Sequence, residues 1–384
     1  MTDATRANLS GMRVDHIGSL LRPESLKATF MRHAERKASA DELRQAQDVA
    51  IRDVVAEQDA HGVPVVTDGE YRRLNWQVSF SDVEGWELWT RSWEGLRRYP
   101  DHRRPGEQPL ERGEDAVVTF RTPATARLRL IRNRPLEEYR FTRTATARPV
   151  KLTLIGPDRI CQMFDAAASR GIYPDPASFL ADVVAIERRM LGELVEAGCN
   201  YVQVDEPSYT GYVDPPTLER MRARGEDPTK NLERAIDADN RITAGLQGAT
   251  FGIHICRGNR ASMWHREGTY DAIAERLFTG LNYHRLLLEY DSERAGTFEP
   301  LRFVPREKIA VLGLITTKTG RVETVEELKR RLEEASRYLP LEQLALSPQC
   351  GFASGLAGNL LTEDEQWRKL DVMLDTARQV WGEP

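Results

Sequence analysis

The chain has 384 residues, with 54 Lys and Arg against 59 Asp and Glu, a formal charge of −5, and this mild acidic balance argues against nucleic acid or an anionic membrane as the main partner, since both select basic surfaces. Its four cysteines (Cys161, Cys199, Cys256 and Cys350) are too few and too widely spread for a disulfide framework, so in a reducing compartment they stay thiols, free for metal or catalysis. No run approaches the ~18 apolar residues of a membrane span, and the polar N-terminus MTDATRANLSGMRV lacks the apolar core of a signal peptide, so a cytoplasmic protein is expected.

Short apolar runs alternate with amphipathic stretches along the chain. VDHIGSLL (14–21) reads as a strand, and a helical stretch follows Pro23. A long charged helix over 41–61 ends at His61-Gly62. PVVTDGE (64–70) reads as a buried strand running into a loop, and KLTLIGP (151–157) as another strand. An amphipathic helix over 176–198 closes at Gly198 before the strand YVQVDEP (201–207). TFGIHICRGN (250–259) is a strand with a Gly/Asn loop. Residues 269–279 read as helix, 284–291 as strand, 308–320 as strand and loop, and 323–338 as helix. QLALSPQCGFAS (343–354) is the last strand and loop, before a final amphipathic helix over 363–381.

About eight βα units result, and this alternation predicts a parallel (β/α)8 TIM barrel rather than an open sheet. Residues 1–384 are expected to form one catalytic domain. The rhythm breaks over 82–148, which is rich in Trp, Arg and Pro and has alternating runs such as AVVTFRT and ARLRLIR. That segment is expected to be a β-rich antiparallel excursion inserted between barrel strands. A decorating hairpin is the slightly better reading, and a lid or dimer contact the other.

The reactive residue types fall where strands end. Asp68 and Glu70 follow PVV, Asp205 and Glu206 follow YVQV, His254 and Cys256 follow FGI, Glu289 follows LLL, and Cys350 follows LALSPQ. In a parallel barrel these ends converge on one mouth. His254 and Cys256 are two apart and project from the same face of a strand. A carboxylate from the next strand and a thiolate from the last complete a tetrahedron, and N, S and O donors of this kind suit Zn2+. An isolated H-x-C pair is better read as a core histidine beside a buried cysteine. With Glu289 and Cys350 at strand ends, zinc is the better reading. Glu70 and Asp205 are the best candidates to hold a cation such as a substrate ammonium; rim carboxylates bonded to backbone or Arg are an even alternative.

The motifs DHIGSLLRP, VVTDGE, QVDEP, HICRGN, LGLITTKTGRVE and SPQCG occur in order across nearly the whole chain. In them the sequence resembles the cobalamin-independent methionine synthase family, in its short branch without an extra N-terminal barrel. It is similar also to epoxyalkane:coenzyme M transferases. The resemblance places the family's zinc ligands on His254, Cys256, Glu289 and Cys350. It places the contacts to an amino-acid thiol on Ile17, Gly18, Ser19, Glu70 and Asp205: turn backbone for the carboxylate, the two acids for the ammonium. The spacing from Cys256 to Glu289 is longer than in full-length synthases. Where those enzymes carry a catalytic histidine after the seventh strand, this chain reads Thr317-Lys318-Thr319, and Lys318 stands there as a proton donor or anion contact. The aromatic residue that faces the folate ring is also replaced, by Ile155-Gly156-Pro157. The implied partners are a small thiol, homocysteine first, and a methyl or alkyl donor whose identity stays open, as does homo-oligomerisation. The alternatives are epoxide opening by a coenzyme M thiolate, or a structural zinc in a binding module.

Overall fold

The computed structural model describes residues 9–87 and 121–384. A two-residue antiparallel ladder joins β1 (Val83–Glu84) to β2 (Arg129–Leu130). The main sheet comprises β3 (Lys151–Ile155), β4 (Tyr201–Asp205), β5 (Thr250–Ile255), β6 (Arg285–Glu289), β7 (Ile309–Ile315) and β8 (Leu344–Pro348). All six are parallel, in the order of the sequence. Apart from the first residues of β5 and β7, every position in them is buried. Burial on both faces is what parallel strands covered by helices require, and it explains their near-continuous apolar runs.

Two further segments extend this sheet by single parallel bridges. Val14 pairs with Leu346 beyond β8, and Val66 with Val150 before β3. The two segments then meet each other: Thr67 Oγ1 donates to Gly18 O at 2.6 Å, Leu20 N donates to Gly69 O at 3.2 Å, and His16 Nε2 lies 3.0 Å from Val65 O. Side chains from opposite walls also converge. Asp15 receives Lys151 Nζ from β3 at 2.7 Å, the Tyr201 hydroxyl from β4 at 2.5 Å and Arg285 Nε from β6 at 3.3 Å. In a flat sheet β3 and β6 would stand about 14 Å apart, so the sheet is rolled round Asp15. The eight staves are those of the expected barrel.

The stretches 14–21 and 64–70, expected as strands, contribute only these bridges. Pro64 has no N–H to give a ladder, and Gly18 turns the chain at φ 124. The expected outer helices are present at Ala40–His61, Pro176–Glu196, Val325–Ser336 and Glu363–Trp381. Capping boxes start three of them, Ser39 with Glu42, Thr324 with Glu327 and Thr362 with Glu365, and Asp175 caps the fourth. The 269–279 helix is a 3₁₀ turn at Tyr270–Ala272 followed by Ala274–Gly280. In the 82–148 segment the described residues add, beside the short ladder, a helix at Arg134–Thr142 that the sequence pattern did not suggest. Most of AVVTFRT lies outside the described residues.

Candidate active site

The C-terminal ends of β5 and β8 bring three expected ligands together. His254 is the fifth residue of β5, Cys256 lies just past its end, and Cys350 lies two residues past β8. One ligand atom from each lies within 4.8 Å of the others, and all three residues are buried. The two sulfurs are 3.3 Å apart. Neither ring nitrogen of His254 meets a partner in hydrogen-bond geometry; burial lowers the ring's pKa, but the adjacent Cys256 sulfur outweighs it and draws the pKa up. A buried imidazole without partners is costly, and here it faces two thiols. The hydrogen bond to Cys350 and then burial push the Cys256 thiol well up from its ordinary pKa. An imidazole nitrogen and two sulfurs are the donors that a borderline-soft cation of zinc's kind takes. Gly258 N donates to Cys256 Sγ at 3.1 Å, which supports negative charge on that sulfur.

Glu289 ends β6, fully buried beside this cluster but outside it. Its Oε2 accepts from Arg257 N at 2.7 Å and its Oε1 from Gln349 Nε2 at 2.7 Å. Gln349 immediately precedes Cys350 and also takes Thr317 N and Oγ1 on its own oxygen. One glutamine thus ties the ends of β6, β7 and β8 together. Sequence reasoning passed over it, although it sits inside the SPQCG motif.

The acids stand on the neighbouring staves. Asp205 pairs in register with His254 across β4 and β5, so the two side chains share a face at one strand spacing. Asp205 Oδ1 accepts from Gln203 Nε2, which also donates to Ile17 O. Burial first, with the charge of Glu70 adding and His254 opposing, pushes Asp205 up to about 7. Glu70 adopts a left-handed φ of 60°. Its Oε1 is held by Thr153 Oγ1 at 2.6 Å and Arg73 Nη1 at 3.2 Å. Its Oε2 is buried and has no partner.

The turn Ile17–Ser19 lies against the cysteine end of β8. Phe352 N donates to Ser19 O at 2.9 Å. A Cβ on Gly351 would come within 1.9 Å of Ser19 Oγ, so any larger residue there would force the Ser19 hydroxyl to rotate away. Lys318 is buried, and its Nζ donates to Gly258 O and Asn259 Oδ1, both at 3.1 Å. It therefore clamps the loop that follows Cys256. Cys161 and Cys199 stand apart from this centre, in or just after helices.

The model of the cobalamin-independent synthase catalytic domain matches residues 121–379. The chain belongs to the cobalamin-independent methionine synthase family. It is 37% identical over 374 residues to YxjH of Bacillus subtilis (strain 168), covering 96% of this chain and 94% of the relative. It is 25% identical to a methionine synthase of Pyrococcus abyssi, over 95% of this chain and 91% of the relative. A Listeria monocytogenes structure assigned as a vitamin-B12-independent methionine synthase superposes with a TM-score of 0.73 at 26% identity, covering 96% of this chain and 98% of that one. The fold and the family are those of this group.

Proposed function

We propose that this chain is a zinc-dependent thiol alkyltransferase that methylates homocysteine to methionine. The convergence of His254, Cys256 and Cys350, with both imidazole nitrogens unpartnered, carries the reading. The name of the Pyrococcus abyssi relative supplies the reaction class.

His254, Cys256 and Cys350 would hold the ion. Zinc, when bound, keeps a coordinated thiol deprotonated at neutral pH, where a free thiol of pKa ~8.5 is mostly protonated. Three firm protein donors and one exchangeable position form the catalytic pattern. Glu289, which Gln349 Nε2 holds in place beside the cluster, would supply the fourth donor. Glu70 and Asp205 take the ammonium, Glu70 through its unpartnered Oε2, and Asp205 also orients the thiol carbon chain beside His254. Backbone groups of Ile17, Gly18 and Ser19 take the carboxylate. Lys318 delivers a proton, or a positive charge, to the group that departs from the transferred carbon.

The test is metal analysis of purified protein followed by X-ray absorption with and without homocysteine. One zinc per chain and one added sulfur neighbour with homocysteine are expected. An unchanged coordination shell with every thiol would instead mark the ion as structural. Lys318 also suits a second reading, epoxide opening by a coenzyme M thiolate, because a sulfonate needs a cation. Turnover of coenzyme M with a short epoxide, and none with homocysteine, would establish it.

A further inference from the structure

Arg159 lies in the short helix Pro157–Gln162 after β3, and Arg266 on the loop after β5. Arg159 Nη1 and Arg266 Nη2 donate to one atom, Gln162 Oε1, at 3.3 and 3.4 Å. Arg266 Nη1 donates to Pro207 O. The Gln77 amide oxygen, in the orientation that satisfies both its ends, accepts from Arg159 Nη2 at 3.2 Å and Nε at 3.3 Å. Lys318 Nζ also bonds only to neutral oxygens. Among the described residues none of these three cations has a carboxylate within ion-pair distance, although the charges of Asp214 and then Glu206 act on Arg266. The anionic charges that act on Arg159 are those of Glu206 and Asp158, and both are engaged. Glu206 accepts from the N–H groups of Asp158, Arg159 and Ser208, and Asp158 from the hydroxyl of Tyr212 and from Arg234.

His265 lies among these groups. Burial first, then the charges of Lys318, Arg266, Arg159 and Arg260, hold its imidazole down to about 3. Its Nδ1 is buried without a partner. The cluster borders the metal-binding loop, since Lys318 bonds Gly258 O and Gly258 N bonds Cys256 Sγ. Two guanidiniums converging on one amide oxygen, with a lysine and an imidazole whose Nδ1 is unpartnered beside them, form a planar, multidentate donor set of the kind that suits an oxyanion.

We propose that Arg159, Arg266, Lys318 and His265 form an anion site that holds the carboxylate, phosphate or sulfonate group of the alkyl donor. The anion site stands on the cation geometry alone. Its assignment to the donor rests on the alkyl-transfer reading. The donor would lie with its acidic group on this cluster and its reactive carbon toward the thiol at His254, Cys256 and Cys350.

Calorimetric titration of the zinc-loaded protein with inorganic phosphate, sulfate and succinate tests this, with the His265 ring signals followed by NMR. At least one anion should bind, and the titration of His265 should move upward when it does. R159Q and R266Q should each weaken that anion at least about tenfold, the worth of one charge-assisted hydrogen bond. R368Q, on the exposed face of the last helix, should leave it unchanged. The preferred probe names the acid class. No binding of any of the three, or unchanged binding in R159Q and R266Q, overturns the site. If R159Q does not fold, R159K and K318Q decide the matter in the same way, because R159K keeps the charge and loses the planar fork. Zinc content and homocysteine binding are measured on the same samples. Their absence with anion binding intact would sink the alkyl-transfer reading and leave the anion site standing.

Discussion

Cys256 and Cys350, 94 residues apart in sequence, bring their sulfurs to 3.3 Å of each other at the mouth of the barrel. Two thiolates at that distance repel unless a cation lies between them. C256S and C350S should therefore each bind zinc far more weakly, by more than the roughly 100-fold seen when only a supporting partner is lost. Gln349→Ala, which frees Glu289 Oε1, should cost about 10- to 100-fold in metal affinity or activity. Competition with a chromophoric chelator measures all three, and native stoichiometry in C350S would contradict the arrangement.

Glu70 keeps one buried oxygen without a partner while Thr153 and Arg73 hold the other. A ligand ammonium would complete it. E70Q should weaken homocysteine by about 10- to 100-fold, the range of a hydrogen bond between charged groups, and leave 3-mercaptopropionate, which has no ammonium, nearly unchanged. Equal losses for both thiols in a thermal-shift or calorimetric titration would show that Glu70 serves only the packing around Arg73.

Asp15 lies at the opposite end of the barrel from the thiols, where strands begin, and faces two buried cations, Lys151 and Arg285. D15N leaves both without their counter-charge. The expected cost is about 3–5 kcal/mol in urea unfolding, with zinc content at the mouth unaltered. Loss of zinc in folded D15N would mean that the two ends of the barrel are coupled.

His16 is buried, and burial first, then the charge of Lys151, holds its pKa down to about 4 from an ordinary 6.5. Its folded-state pKa lies below the unfolded one, so the unfolded chain takes up a proton first as the pH falls. The contribution of the neutral ring is intact above about 6.5 and is lost progressively toward 4, at up to ~1.4 kcal/mol per pH unit. Asp68 and Asp205 are raised to about 6 and about 7, chiefly by burial, and push the total in the opposite direction. The informative quantity is thus the stability of the native chain minus that of H16Q. It should fall by about 3 kcal/mol between pH 7 and pH 4. A flat difference would place His16 outside the acid response.

Much of this architecture is legible in residue order. The capping pairs Ser39/Glu42, Thr324/Glu327 and Thr362/Glu365 mark helix starts to within a residue or two. The apolar runs of β3 to β8 mark six staves. The helices Pro215–Ala223 and Pro228–Thr243 went unread, although Asp214-Pro215 and Asp227-Pro228 carry the cap and first-turn signal. His254, Cys256 and Cys350 are legible because strand ends must converge. The surroundings of Glu289 are not, because its partners are the backbone N–H and guanidinium of Arg257 and the amide of Gln349, none of which carries a metal signature. The pairing of Arg159 with Arg266 through Gln162 is invisible for a similar reason: charges from a short helix and a distant loop become neighbours only once the barrel closes.

The barrel wall is not equally stitched along its circumference. Six staves share continuous ladders, whereas the Val14–Gly18 and Val65–Gly69 segments are fastened to each other by the links through His16, Thr67 and Leu20. Ser19 and Glu70, the residues proposed for either end of the amino-acid substrate, lie at those links, Ser19 between Gly18 and Leu20 and Glu70 next to Gly69, one on each lip of this seam. A molecule held between them would bridge the wall where its backbone bonding is sparsest, so that filling the pocket would also tie the cylinder together.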